Sequence, residues 1–110
     1  MMKIPMSAAA AGLLRAFLAR VGDSPDRILL TEFRSVEWQS LAFAGERHVV
    51  ALRLVGPDCD ATLNRLILGL EDAEFAIPGN IVADIGLVEP PRHESDGAII
   101  LNLEALTIAE

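Results

Sequence analysis

The sequence predicts an α+β sandwich, with two helices packed on one face of a four-stranded, mostly antiparallel sheet in the order α-β-β-α-β-β. Three observations lead there. Apolar residues recur at helical spacing in two separate stretches, 13–21 and 59–70. Stretches 28–54 and 81–108 instead carry runs of alternating apolar and polar residues. Turn-forming clusters, Ser24-Pro25-Asp26, Gly56-Pro57-Asp58 and Ile77-Pro78-Gly79, stand between these stretches.

The first helix buries Leu13, Leu14, Phe17, Leu18 and Val21, with Arg15 and Arg20 off that face. Ser7 caps its start, and Gly22 supplies a left-handed stop. The weakly apolar run before Arg15 is far short of the ~20 residues of a membrane span. Pro5 and the two arginines also speak against a targeting segment. Two strands follow, joined through Phe43-Ala44-Gly45, with Gly45 in the left-handed position of a three-residue hairpin loop. That register sets Trp38 opposite Val50 and Val36 opposite Leu52. One face then holds Val36, Trp38, Val50, Leu52 and Leu54, with Trp38 as a buried anchor. Ser35, Glu37, Gln39 and Arg53 share the wet face with Val49 and Ala51. Leu29 and Phe33 are out of phase with Val36, which places a bulge near Arg34 and Ser35.

In the second helix Cys59, Leu63, Leu66, Ile67 and Leu70 share a face, and Asp58 or Asp60 suits the positive end. Glu71, Asp72 and Glu74 crowd its other end. A third strand covers 81–88, a polar loop 89–97, and a fourth strand 98–108 with Ile99, Leu101 and Leu103 on one face.

With 110 residues, the chain makes one domain over 1–110, residues 1–6 lying outside its packed part. An apolar share of 52% against 23% charged residues excludes a disordered tail. Nine basic and sixteen acidic side chains give a net charge of −7, which argues against gripping nucleic acid or anionic lipid by charge. One cysteine allows no internal disulfide.

Reactive chemistry is sparse. His48, His93 and Cys59 stand at no metal-ligand spacing, and neither a nucleophile elbow nor a phosphate-cradling loop is present. His48 reads as a half-buried strand residue on the Trp38 face, and His93 as part of a solvated loop with Glu94 and Asp96. Cys59 is flanked by Asp58 and Asp60, which disfavour a thiolate, so it reads as a buried structural thiol. These readings imply no enzyme, no cofactor and no metal. Contact surfaces are the stronger expectation: Glu37, Gln39, Arg47 and Val49 on the hairpin, and Arg92, His93 and Glu94 in the long loop.

A set of short motifs runs in order along most of the chain from Leu13 to the end. An amphipathic helix comes first, then Glu37-Trp38-Gln39-Ser40 and Gly45-Glu46-Arg47-His48. Leu70-Glu71-Asp72-Ala73 and Ile77-Pro78-Gly79-Asn80-Ile81-Val82 follow, then Asp96-Gly97 and Leu103-Glu104-Ala105-Leu106-Thr107. In this order the chain resembles the tail-terminator, or tail-completion, proteins of long-tailed phages and gene transfer agents. The resemblance implies a structural protein that forms a ring, commonly a hexamer, on the head-proximal end of the tail tube. Its partners would be copies of itself, the tail tube protein and the head connector or stopper. DNA would be passing cargo only, and no membrane would be involved. Assembly would take place in the cytoplasm and end in the tail of a phage-like particle. A small non-catalytic interaction module or homodimer stays open as an alternative, as does a minor hydrolase or isomerase using His48.

Overall fold

The structure, a computed structural model, describes residues 6–21 and 27–110. Helix α1 (Ala8–Ala19) begins as its sequence dictates, the Ser7 hydroxyl accepting the Ala10 N–H at 3.0 Å. Leu13, Phe17 and Val21 are buried beneath it, with Leu14 and Leu18 half-buried. The expected stop at Gly22 and the break at Ser24-Pro25-Asp26 lie outside the described residues. Strands β1 (Ile28–Gln39) and β2 (Ala44–Leu54) follow, then α2 (Cys59–Ile67), β3 (Asn80–Leu87), β4 (Arg92–His93) and β5 (Ile99–Ala109).

The fold is α+β, with an antiparallel sheet in the order β1-β2-β5-β3 and β4 also paired to β5. Among the described residues the sheet has five strands rather than four, because the polar loop is not all loop. Glu89-Pro90-Pro91 interrupts pairing where two prolines lack N–H donors, and Arg92 and His93 then rejoin β5 opposite Ile100 and Ile99. Val50, Leu52 and Leu54 of β2, Ile99, Leu101 and Leu103 of β5, and Ile85 of β3 pack with both helices in one core.

The hairpin differs from expectation in register. Gln39 pairs with Ala44, and the connection is Ser40-Leu41-Ala42-Phe43. It is closed by Ser40 N–H to Phe43 O (2.8 Å) and Phe43 N–H to Ser40 Oγ (3.2 Å). Gly45 therefore lies within β2, opposite Trp38, and has no positive φ. The shift is by an odd number of residues, so it exchanges faces: Val36 and Trp38 stand on the open side with Arg47 and Val49. Phe33, Ser35 and Glu37 turn to the helix side with Val50, His48 and Glu46. The bulge falls at Thr31, between Leu30 and Glu32, and not near Arg34. There the Thr31 hydroxyl donates to the Ala51 carbonyl at 3.0 Å, supplying a bond to the strand at the interruption.

Trp38 is half-buried rather than a core anchor. Trp38→Ala is accordingly expected to cost about 1–2 kcal/mol, below the ~3–5 of a fully buried aromatic, read from the urea midpoint.

Helix α2 ends at Ile67, and Gly69 turns left-handed (φ 64°) into a separate 3-10 turn, Leu70–Asp72. Glu71 and Asp72 thus do not sit on the helix terminus. Asp58 occupies the N-cap position without a side-chain capping bond. The far end of α2 is held by Arg20 at the end of α1. Its guanidinium donates to the carbonyls of Leu66 (3.2 Å) and Leu68 (2.6 Å) and lies over the Phe75 ring. Arg20→Ala should lower stability by about 1–2 kcal/mol, with an unchanged denaturant slope.

Candidate functional site

Three places were candidates for chemistry, and the fold assigns each a different character. His48 is fully buried, on the helix side of β2 and not on the face of Trp38. Its Nδ1 lies 2.7 Å from Ser35 Oγ on β1, and its Nε2 lies 2.9 Å from Thr107 Oγ1 on β5. The Thr107 hydroxyl donates onward to the Glu46 carbonyl at 3.4 Å. With that proton so directed, Nε2–H donates to Thr107 and Nδ1 accepts from the Ser35 hydroxyl. Burial pushes the imidazole below its usual 6.5, the Glu46 carboxylate pulling the other way more weakly. A neutral ring thus ties three adjacent strands together. Ser35 and Thr107 are not among the candidate residues of the sequence; extending the alternation of Ile99, Leu101 and Leu103 to position 107 is the signal that could have found Thr107.

Cys59 is buried as expected, its thiol donating to the Gly97 carbonyl at 3.3 Å. Beside it Asp96 accepts the Ala98 N–H at 3.0 Å and pairs with Arg53, and both hold its carboxyl below the usual range. Among the described residues no group of three His, Cys, Asp or Glu side chains is placed to hold a metal ion.

The seven expected contact residues do not form one patch. Glu37 and Gln39 are exposed on the helix side of β1, Glu37 opposite Glu46. Arg47 and Val49 are on the open side, where Arg47 pairs with Glu104 at 2.5 Å. Arg92, His93 and Glu94 lie at the other end of β5, Arg92 reaching Glu94 at 3.6 Å and His93 reaching Asp60 at 3.4 Å. The hairpin and the loop are therefore separate surfaces.

No protein family, characterised protein or solved structure matches the chain. The surface itself must indicate the site, and β1 is its most unusual part. Among the described residues this edge strand of 12 residues pairs only with β2, and none of them covers its other border. It exposes Leu29, Leu30 and Val36, and Leu41 and Phe43 continue the apolar surface around the hairpin connection. Long edge strands of this kind are templates for pairing with another chain. The opposite edge is guarded. The connection between α2 and β3 lies against β3, with Glu71 beside Gly86 and Ile77 bridged to Asn80, and Pro90 and Pro91 follow. No helix of the described residues is long and apolar enough to cross a membrane.

Proposed function

We propose that the chain is a non-catalytic assembly protein of the tail-terminator kind. Copies form a ring, commonly of six, that caps the head-proximal end of a tail tube, stops its growth and presents a face to the head connector. The observation carrying this reading is the open border of β1 together with the exposed apolar residues around it. The ordered motifs from Leu13 onward narrow assembly to this role. A cyclic ring needs two different patches on each subunit. The hairpin surface with Arg47 and Val49, and the distant loop surface with Arg92, His93 and Glu94, are separated as such patches must be. The charge of −7 suits a conduit that DNA passes without sticking. Residence in a phage-like particle after cytoplasmic assembly belongs to the same proposal.

The test is polymerisation of a tail tube protein of a long-tailed phage with and without the purified chain. Added chain should shorten the tubes and leave a ring on one end in negative-stain images. Arg47→Glu and Arg92→Glu should abolish capping while leaving the circular dichroism spectrum unchanged. Tubes that grow to full length with the chain left in the supernatant would refute the role.

The alternative, a homodimeric interaction module, is favoured by one specific observation, the order of charges along β1.

A further inference from the structure

We infer that the open border of β1 is built to pair with β1 of a second copy, antiparallel and across a two-fold axis at Phe33. This rests on reading β1 as an assembly edge and does not require the ring. The stretch Leu30-Thr31-Glu32-Phe33-Arg34-Ser35-Val36 is complementary to its own reverse. About Phe33 in the sequence an acid mirrors a base, and the structure keeps that match, whereas the bulge at Thr31 takes Thr31 and Leu30 out of the alternation. In an antiparallel pair with the axis there, Glu32 lies opposite Arg34 of the second copy, and Arg34 opposite its Glu32. Both residues stand on the open side of β1, so their side chains meet on one face of the joined sheet.

Within one copy Arg34 Nε already reaches Glu32 Oε2 at 2.8 Å, with both side chains well exposed. Pairing would arrange four charges of alternating sign around the axis. Val36, 62% exposed, stands on the open side beyond the charges, while the bulge at Thr31 turns Leu30 to the helix side opposite Leu52, so the two do not meet.

Other placements of the axis fail on charge. A two-fold axis perpendicular to the sheet keeps the helices of both copies on one side, and it can pass through any β1 residue. At Arg34 it sets two guanidiniums against each other, and at Glu32 two carboxylates. At Ser35 it leaves Arg34 facing Val36 and Glu32 facing Trp38. Only Phe33 converts both charges into cross-copy pairs. The border of β3 is the poorer partner, because Glu71 lies against it at Gly86 and two prolines without N–H donors follow the strand. The product is one antiparallel sheet in which β3-β5-β2-β1 meets β1-β2-β5-β3. The bulge at Thr31 ends the regular pairing on each side, so the contact is short and the pair dissociates on dilution.

Light scattering and sedimentation of the purified chain over a range of concentrations, without tail components, should show a monomer–dimer equilibrium. Arg34→Glu or Glu32→Arg alone brings like charges together and should weaken the dimer by about tenfold or more. The double exchange, Glu32→Arg with Arg34→Glu, should restore it. Hydrogen exchange of the β1 amides should slow as concentration rises in the wild type and in the double variant only. Circular dichroism confirms that each variant is folded. A wild type that stays monomeric at the highest concentration overturns the inference. So does a dimer indifferent to the single reversals, one not restored by the exchange, or β1 amides whose exchange ignores concentration. Tube capping is scored separately, so either proposal can fail alone.

Discussion

Gly45→Ala is expected to lower stability by about 3 kcal/mol, the upper end of what overcrowding a packed interior costs. Gly45 lies between Trp38 on β1 and Ile108 on β5. A Cβ there would stand 1.9 Å from the Thr107 carbonyl oxygen and 2.9 Å from its carbon. Both are backbone atoms, so no change of rotamer relieves the clash. The strands must separate, and the Thr107 contact to His48 is disturbed with them. Gly79→Ala is the comparison, since Gly79 has open space around it but a φ of 77°. It should cost about 1 kcal/mol through backbone strain alone. Urea midpoints of the two variants separate the causes. Equal losses would mean that strand proximity is not what selects glycine at position 45.

His48→Ala should cost about 3 kcal/mol, from a cavity in the core and the loss of both hydroxyl contacts. The same residue gives the fold a pH dependence of definite sign. Burial lowers its pKa in the folded state, so between the folded value and the unfolded 6.5 the unfolded chain binds more protons. Its contribution is therefore complete above pH 6.5. It is lost as the pH falls through the interval below, and the loss levels off beneath the folded value. His48→Gln keeps a neutral side chain able to bond, and should flatten this part of the stability profile. Denaturant melts of both proteins at pH 8 and pH 5 give the comparison. Parallel falls would assign the acid sensitivity to carboxylates instead.

An assembly role depends on the outer border of β1, which these two residues support from within the sheet. Gly45 and His48 join β1 and β2 to β5, which keeps β1 in line as an edge strand. Variants at either should impair capping and pairing by loosening that edge. Arg34→Glu should impair pairing while the fold stays intact.

Much of the architecture was legible in short stretches of residues. Ser7 before an alanine-rich start specified the beginning of α1, and Cys59, Leu63 and Leu66 specified the buried side of α2. The alternation Ile99, Leu101, Leu103 specified the buried face of β5. Each depends on neighbours a few positions apart, where periodicity and capping act. The expected contact residues other than Val49 are polar in the sequence, but the separation of Glu37 from Arg47 onto opposite faces is not legible there.

Residue order by itself determined the α+β class, the sequence of the main elements, the burial of Cys59 and the self-complementary charges around Phe33. Tertiary structure decided the hairpin register, the burial of His48 and which sheet edge is left open. The reason is parity and partnership. A shift by an odd number of residues exchanges the faces of a strand without altering its alternation, so no local pattern reports it. The choice is made where β5 passes so close to β2 that only Gly45 fits, and where Thr107 receives the imidazole. Those partners are distant in the chain and become neighbours only when β5 enters the sheet between β2 and β3.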